Sequence, residues 1–134
     1  MGYAVFESSR TVLAMHRTCL LLSLAILCSA CVSSPEPPIA SGQYTFQQRY
    51  AEHPDMAGAR FEVTIDGDRI AVTNPTQQGP FAPGPIETGT LERHAKSGRW
   101  IIVVDPADRE AEEVGGCTDG PTEVDLRKRI YWTC

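Results

Sequence analysis

Two alternating runs joined by a glycine turn constrain this chain more than any other feature. Phe61, Val63 and Ile65 alternate with Glu62, Thr64 and Asp66; Gly67 follows, and then Ile70 and Val72 alternate again. Successive side chains of a strand point to opposite faces, so such a run buries one face and wets the other. A short Asp-Gly turn between two of them is a strong hairpin signal. A hairpin alone is marginal in water, so the chain must supply more strands to cover it.

It does. Tyr44, Phe46 and Tyr50 predict a first strand over 43–50, and Asn74–Pro85, with Pro75, Pro80, Pro83 and Pro85, reads as a loop. A second hairpin spans 87–95, a turn at Lys96-Ser97-Gly98, and Trp100–Val104. Trp100-Ile101-Ile102-Val103-Val104 is apolar on both faces, which predicts a strand covered on both sides. Asp105-Pro106 has the form of an N-cap with proline at the first helical position, and Gly115 marks a stop. One short helix near 106–114 is therefore expected, its carboxylates on a solvated face. The last strand is placed at 122–133, with Val124, Leu126, Ile130 and Trp132 on one side and Lys128 interrupting as a bulge or rim residue. The expected fold class is all-β: a small antiparallel meander of about six strands forming a barrel or half-barrel.

The N-terminal third has a different character. Residues 18–34 carry no charge, and Leu20, Leu21, Leu22, Leu24, Ile26 and Leu27 form an apolar block preceded by His16 and Arg17. The block is shorter than the ~20 residues of a spanning helix and softens into small residues, the layout of a secretory signal. Leu27-Cys28-Ser29-Ala30-Cys31 resembles the bacterial lipobox. That resemblance implies diacylglycerol on the Cys31 thiol, cleavage before Cys31 by signal peptidase II, and acylation of the new N-terminus. Cys28 stands where the pattern has an aliphatic residue. Val32 follows the lipidated cysteine where an Asp favours inner-membrane retention, so the resemblance implies the outer membrane, on its periplasmic face. Met15-His-Arg-Thr is the more typical signal start, and translation is expected to begin there.

The 134 residues allow one domain. The expected layout is a signal peptide over 1–30, a lipidated cysteine with a Pro/Ser-rich tether over 31–41, and a β domain over 42–134. Proline-rich stretches are extended and semi-rigid, so the tether is expected to act as a spacer. From residue 31 onward there are ten Lys+Arg against sixteen Asp+Glu, a net charge of −6. That balance excludes the basic face that nucleic acid requires. It also offers no electrostatic reason to lie on anionic lipid, so the membrane is expected as a partner through the N-terminal lipid alone.

Of the five cysteines, Cys19 and Cys28 leave with the signal and Cys31 takes lipid, which leaves Cys117 and Cys134. An even pair in an oxidising compartment predicts a disulfide, closing a loop of about 17 residues worth roughly 3 kcal/mol. The competing use of Cys117 and Cys134 with His53 and His94 as a Cys₂His₂ zinc site lacks a short ligand clip in either pair. His53 reads as a turn residue and His94 as solvent-facing or at a rim. Arg127, Lys128 and Arg129 alternate faces along the expected last strand and so form no single basic patch. Gly42-Gln43-Tyr44 near the start, with Arg129 near Trp132, is faintly similar to the Gly-x-Trp and closing arginine of lipocalin-like barrels, an analogy of shape alone. No nucleophile elbow, phosphate loop or zinc-protease motif is present. No catalytic residue, metal or cofactor is expected. The functional expectation is a non-enzymatic envelope module that binds a protein partner or has a structural role; the alternative is a small barrel carrying a lipid or metal, with Phe46, Phe61 and Trp100 lining its cavity.

Overall fold

The computed structural model describes residues 35–134; the expected signal, Cys31 and the start of the tether lie outside the described residues. Seven strands form a closed barrel in chain order: β1 Gly42–Tyr50, β2 Ala57–Asp66, β3 Arg69–Asn74, β4 Gly84–Arg93, β5 Trp100–Val103, β6 Glu123–Asp125 and β7 Ile130–Thr133. Neighbours pair antiparallel until β7 closes on β1 in parallel, Gln47 opposite Ile130 and Tyr50 opposite Thr133. The parallel seam follows from counting. In an up-and-down meander the seventh strand runs in the direction of the first.

The seventh strand arises because the expected single strand at 122–133 is two. The Asp125 side chain accepts from the backbone N–H of Arg127 and of Lys128, at 3.1 and 2.9 Å, and Arg129 takes φ 56. An Asp that captures the N–H groups two and three residues on folds the chain into a turn. The turn also changes which residues face inward. Val124, Leu126 and Tyr131 are buried, whereas Trp132 lies on the outside. Lys128 sits exposed in this turn at the end of the barrel, the rim position and not a bulge.

The first hairpin forms as expected, with Asp66 still paired to Arg69 and Gly67-Asp68 making the two-residue turn. Gly67 has φ 61 in the first central position, where a side chain would be strained, as a II′ turn requires. Phe46, Phe61, Val63, Ile65, Ile70, Val72, Leu91, Ile102, Val124 and Leu126 fill the barrel. Phe61 meets Phe81 and Tyr131 edge-on, with centroids at 5.2 and 5.4 Å. This filled interior leaves Phe46 and Phe61 buried against other side chains rather than lining a cavity.

Strand β5 is covered on both faces, as its composition predicts. Ile102 points into the barrel, while Ile101 and Val103 pack outside it with Val114, from the connection that runs back across the outer face. The helix expected at 106–114 is shorter and tighter, a 3₁₀ turn over Pro106–Glu110. Asp105 caps Ala107, and the Asp108 carboxylate accepts from the N–H groups of Val104 and Asp105, both at 2.8 Å. These bonds fix one tight turn. Leaving it at Ala111 lets Val114 reach the apolar outer face of β5.

Candidate functional site

Three places gather polar chemistry. The first is inside the wall, where Glu87 on β4 faces inward opposite Val72. Tyr131 donates its hydroxyl to one Glu87 carboxylate oxygen at 2.8 Å, and Thr122 donates to the other at 3.1 Å. Burial pushes the Glu87 carboxyl above its ordinary range, partly offset by these two donors, which favour the charged form. Burial and the adjacent carboxylate raise the Tyr131 phenol in turn. Both carboxylate oxygens are thereby engaged, and the group works as a bracket joining β4 to β7 and to Thr122, the residue that leads into β6.

The second is His94, where the structure corrects a sequence expectation. Its side chain is 2 % exposed, not at the surface. Nε2 lies 3.1 Å from the Ala111 carbonyl, which can only accept, so Nε2 carries the proton; Nδ1 faces the Ser97 hydroxyl at 2.9 Å. The imidazole thus ties the β4–β5 turn to the covering connection. Lys96 reinforces the tie by bonding the Glu110 carbonyl and the Glu112 carboxylate, and its ammonium holds Glu112 below the usual carboxylate range. His53 lies in the β1–β2 turn as expected, its carbonyl accepting from Met56. Cys117 and Cys134 are joined in a disulfide with Cα atoms 4.5 Å apart, so with His94 buried these four residues are not a zinc donor set. Among the described residues, no cluster of three metal-ligating side chains occurs.

The third place is the barrel mouth, the end formed by the β2–β3, β4–β5 and β6–β7 turns. The chain enters across it. Ile39 packs against the barrel core, the Ser41 hydroxyl accepts from the Gly67 N–H at 2.8 Å, and Tyr44 donates to the Ala40 carbonyl at 2.7 Å. The stretch 39–41, expected as free tether, is therefore part of the domain and caps it. An aliphatic residue gains more from an open apolar mouth than from water, and Ile39 is the one aliphatic side chain between Pro35 and Ser41 large enough to close it. Beside it Pro35, Glu36 and Pro38 border a groove of about 450 Å³ whose far wall is Trp100, Arg99 and Arg127.

The mouth also gathers cations that the sequence reading had dispersed. Arg69, Arg93, Lys96, Arg99, Arg127, Lys128 and Arg129 all belong to its three turns or their flanks and are all exposed. Lys96, Arg99 and Lys128 pair with Glu112, Glu123 and Asp125. Arg129 lies 5.1 Å above the Tyr44 ring, bringing together the two residues of the shape analogy. Among the described residues Arg69, Arg93, Arg127 and Arg129 form no salt bridge. The net charge of −6 does not show this clustering because it sums over the whole segment, and three of the carboxylates that it counts, Glu112, Glu123 and Asp125, sit beside these cations as their partners. Of the residues singled out by sequence, the disulfide pair sits at the opposite end from the mouth, and Cys31 lies outside the described residues. Compared with family models, curated proteins and solved structures, the chain matches none.

Proposed function

We propose that this chain is a bacterial envelope lipoprotein: Cys31 carries the lipid anchor, and the β-barrel is a non-enzymatic binding module held on the periplasmic face of the outer membrane. The observation that carries this reading is the Cys117–Cys134 disulfide. Such bridges persist in oxidising compartments, and the lipobox-like segment ending at Cys31 is the feature of this sequence that would deliver the chain to one. The bridge also accounts for both cysteines that follow Cys31, leaving Cys31 free for lipid. A binding role fits polar groups that are each held by structural partners: the Glu87 carboxylate by the Tyr131 and Thr122 hydroxyls, the His94 imidazole by the Ala111 carbonyl and the Asn74 amide by the Phe81 carbonyl. The filled barrel gives the lipid-carrier alternative no support.

Intact mass of the full chain extracted from bacterial membranes tests the proposal. The expected species begins at Cys31, carries acyl chains, and is two hydrogen atoms lighter than its reduced form. Globomycin treatment is expected to accumulate the uncleaved form, and Cys31→Ser to release the protein from the membrane fraction. A mature chain with its leader retained, or a soluble chain with residue 31 unmodified, overturns the reading.

A further inference from the structure

We propose that the barrel docks mouth-first on the bilayer, its arginine rim against anionic lipid headgroups and its β1–β2 end turned away. The inference rests on the lipid anchor at Cys31 proposed above, and adds an orientation to it. The first argument is reach. Pro35, which already borders the mouth groove, is four positions after Cys31, and four fully extended steps of the chain span at most about 14 Å. Pro35, Glu36 and Pro37 also border the β2–β3 turn at Gly67 and Asp68. A lipidated Cys31 therefore holds the mouth, not the opposite end, within about 14 Å of its acyl chains.

The second argument is charge. Arg69, Arg93, Arg127 and Arg129 stand on the mouth without a carboxylate partner among the described residues, against Glu36, Asp66 and Asp68. The excess at the mouth is small. The first part of the connection over 104–122 stays near the mouth, where Glu112 pairs with Lys96 and Arg109 with Glu92. The β1–β2 loop and the stretch 113–119, which meet at Ala51 and Gly116, carry Glu52, Asp55, Glu113 and Asp119 and no lysine or arginine. An anionic surface repels that side within a Debye length and tolerates the mouth, so the short tether and the field select the same orientation. Arginine suits the surface chemically, since its planar fork matches phosphate oxygens.

The test uses the lipidated full chain in vesicles, with a fluorophore on either Ala95→Cys in the β4–β5 turn or Met56→Cys in the β1–β2 loop. Both positions are exposed. An acceptor dye sits at the headgroups of vesicles made from phosphatidylcholine alone or with phosphatidylglycerol. Ten-residue strands at ~3.3 Å per residue, tilted ~40°, separate the two labels by roughly 25 Å in height. Energy transfer is expected to be higher from residue 95 than from residue 56. The gap should widen with phosphatidylglycerol, narrow in 1 M salt, and shrink in the Arg69→Glu/Arg93→Glu/Arg127→Glu variant. Equal transfer from both labels on vesicle-bound protein, or a gap indifferent to lipid charge, salt and the three substitutions, overturns the docking. Flotation reads the anchor separately: a Cys31→Ser chain that floats as well as the parent counts against the lipid on Cys31.

Discussion

The two ends of this barrel are finished by different physics. The far half is polar and stitched. Gln48, Asn74 and Glu87 lie inside it; Gln48 accepts from the Ala59 N–H and donates to the Thr133 hydroxyl, while Asn74 donates to the Phe81 and Ala82 carbonyls. Gly58 permits this, because a Cβ there would fall 1.4 Å from the Gln48 amide oxygen. The Cys117–Cys134 bridge then ties the covering connection to the last residue. The mouth half is apolar inside, with Ile65, Ile70, Leu91, Val124 and Leu126, and its cap rests on one half-buried isoleucine and two hydrogen bonds. Buried polar networks fix one arrangement, whereas a cap held by a single aliphatic contact can open at modest cost. The difference teaches where a small domain spends its specificity: the far end is committed, and the mouth is the end that can yield.

The sharpest way to break that comparison is to cut the stitch. The bridge closes a separation of 17 residues, for which chain entropy gives about 3 kcal/mol. The Cys117→Ala/Cys134→Ala variant is expected to lose about that much, lowering Tm by roughly 12–24 °C at ~4–8 °C per kcal/mol for a domain of this size. Thermal unfolding followed by circular dichroism measures it. A loss smaller than that caused by removing the Ile39 contact would mean that the two ends are not finished as described.

Much of this asymmetry was legible in the sequence and some was not, for identifiable reasons. Local signals carried β1 to β5, because alternation and glycine turns are properties of neighbouring residues. Cysteine parity gave the bridge. The split of 122–133 was missed because Val124, Leu126, Ile130 and Trp132 keep one parity across a turn that the Asp125 side chain makes. The burial of His94 was missed because its cover, the Ala111 carbonyl, is 17 residues away. The arginine rim was missed for a similar reason: only the barrel topology brings the 69, 93 and 127–129 positions to one end. Ile39 had a weak signal, a lone aliphatic residue among prolines and small residues, which composition alone assigned to tether.

The mouth answers to a smaller perturbation. Ile39→Ala removes a partly buried contact, for which about 1 kcal/mol is expected, below the 2–5 kcal/mol of a fully buried isoleucine. The location of the effect is more informative than its size. Hydrogen exchange should quicken at the Gly67 amide, which Ser41 holds, and stay unchanged at the Ala51 amide, which bonds the Thr133 carbonyl at the far end. Faster exchange at both would show that the cap and the far end open together, and the contrast between them would fall.

The smallest effect sharpens the account of the far half, and its sign is fixed by the buried carboxyl. Glu87 has a folded-state pKa above its ordinary value, with burial the leading cause. The native state therefore binds that proton more tightly than the unfolded chain does, and stability rises with protonation. Its contribution is fully present below the unfolded carboxyl range near 4.5 and is lost as pH climbs through the raised folded value. Glu87→Gln removes the titration while keeping an acceptor for one hydroxyl, so denaturant midpoints should fall less between pH 4 and neutrality than in the parent. Tyr131→Phe should do the opposite. It keeps the edge contact with Phe61 but takes away a donor to the charged form, which raises the carboxyl further and steepens the loss with pH. Parallel pH profiles for the parent and Glu87→Gln would mean that the carboxylate is solvated in the folded protein, and that the far half owes its rigidity to the amides of Gln48 and Asn74 and to the bridge.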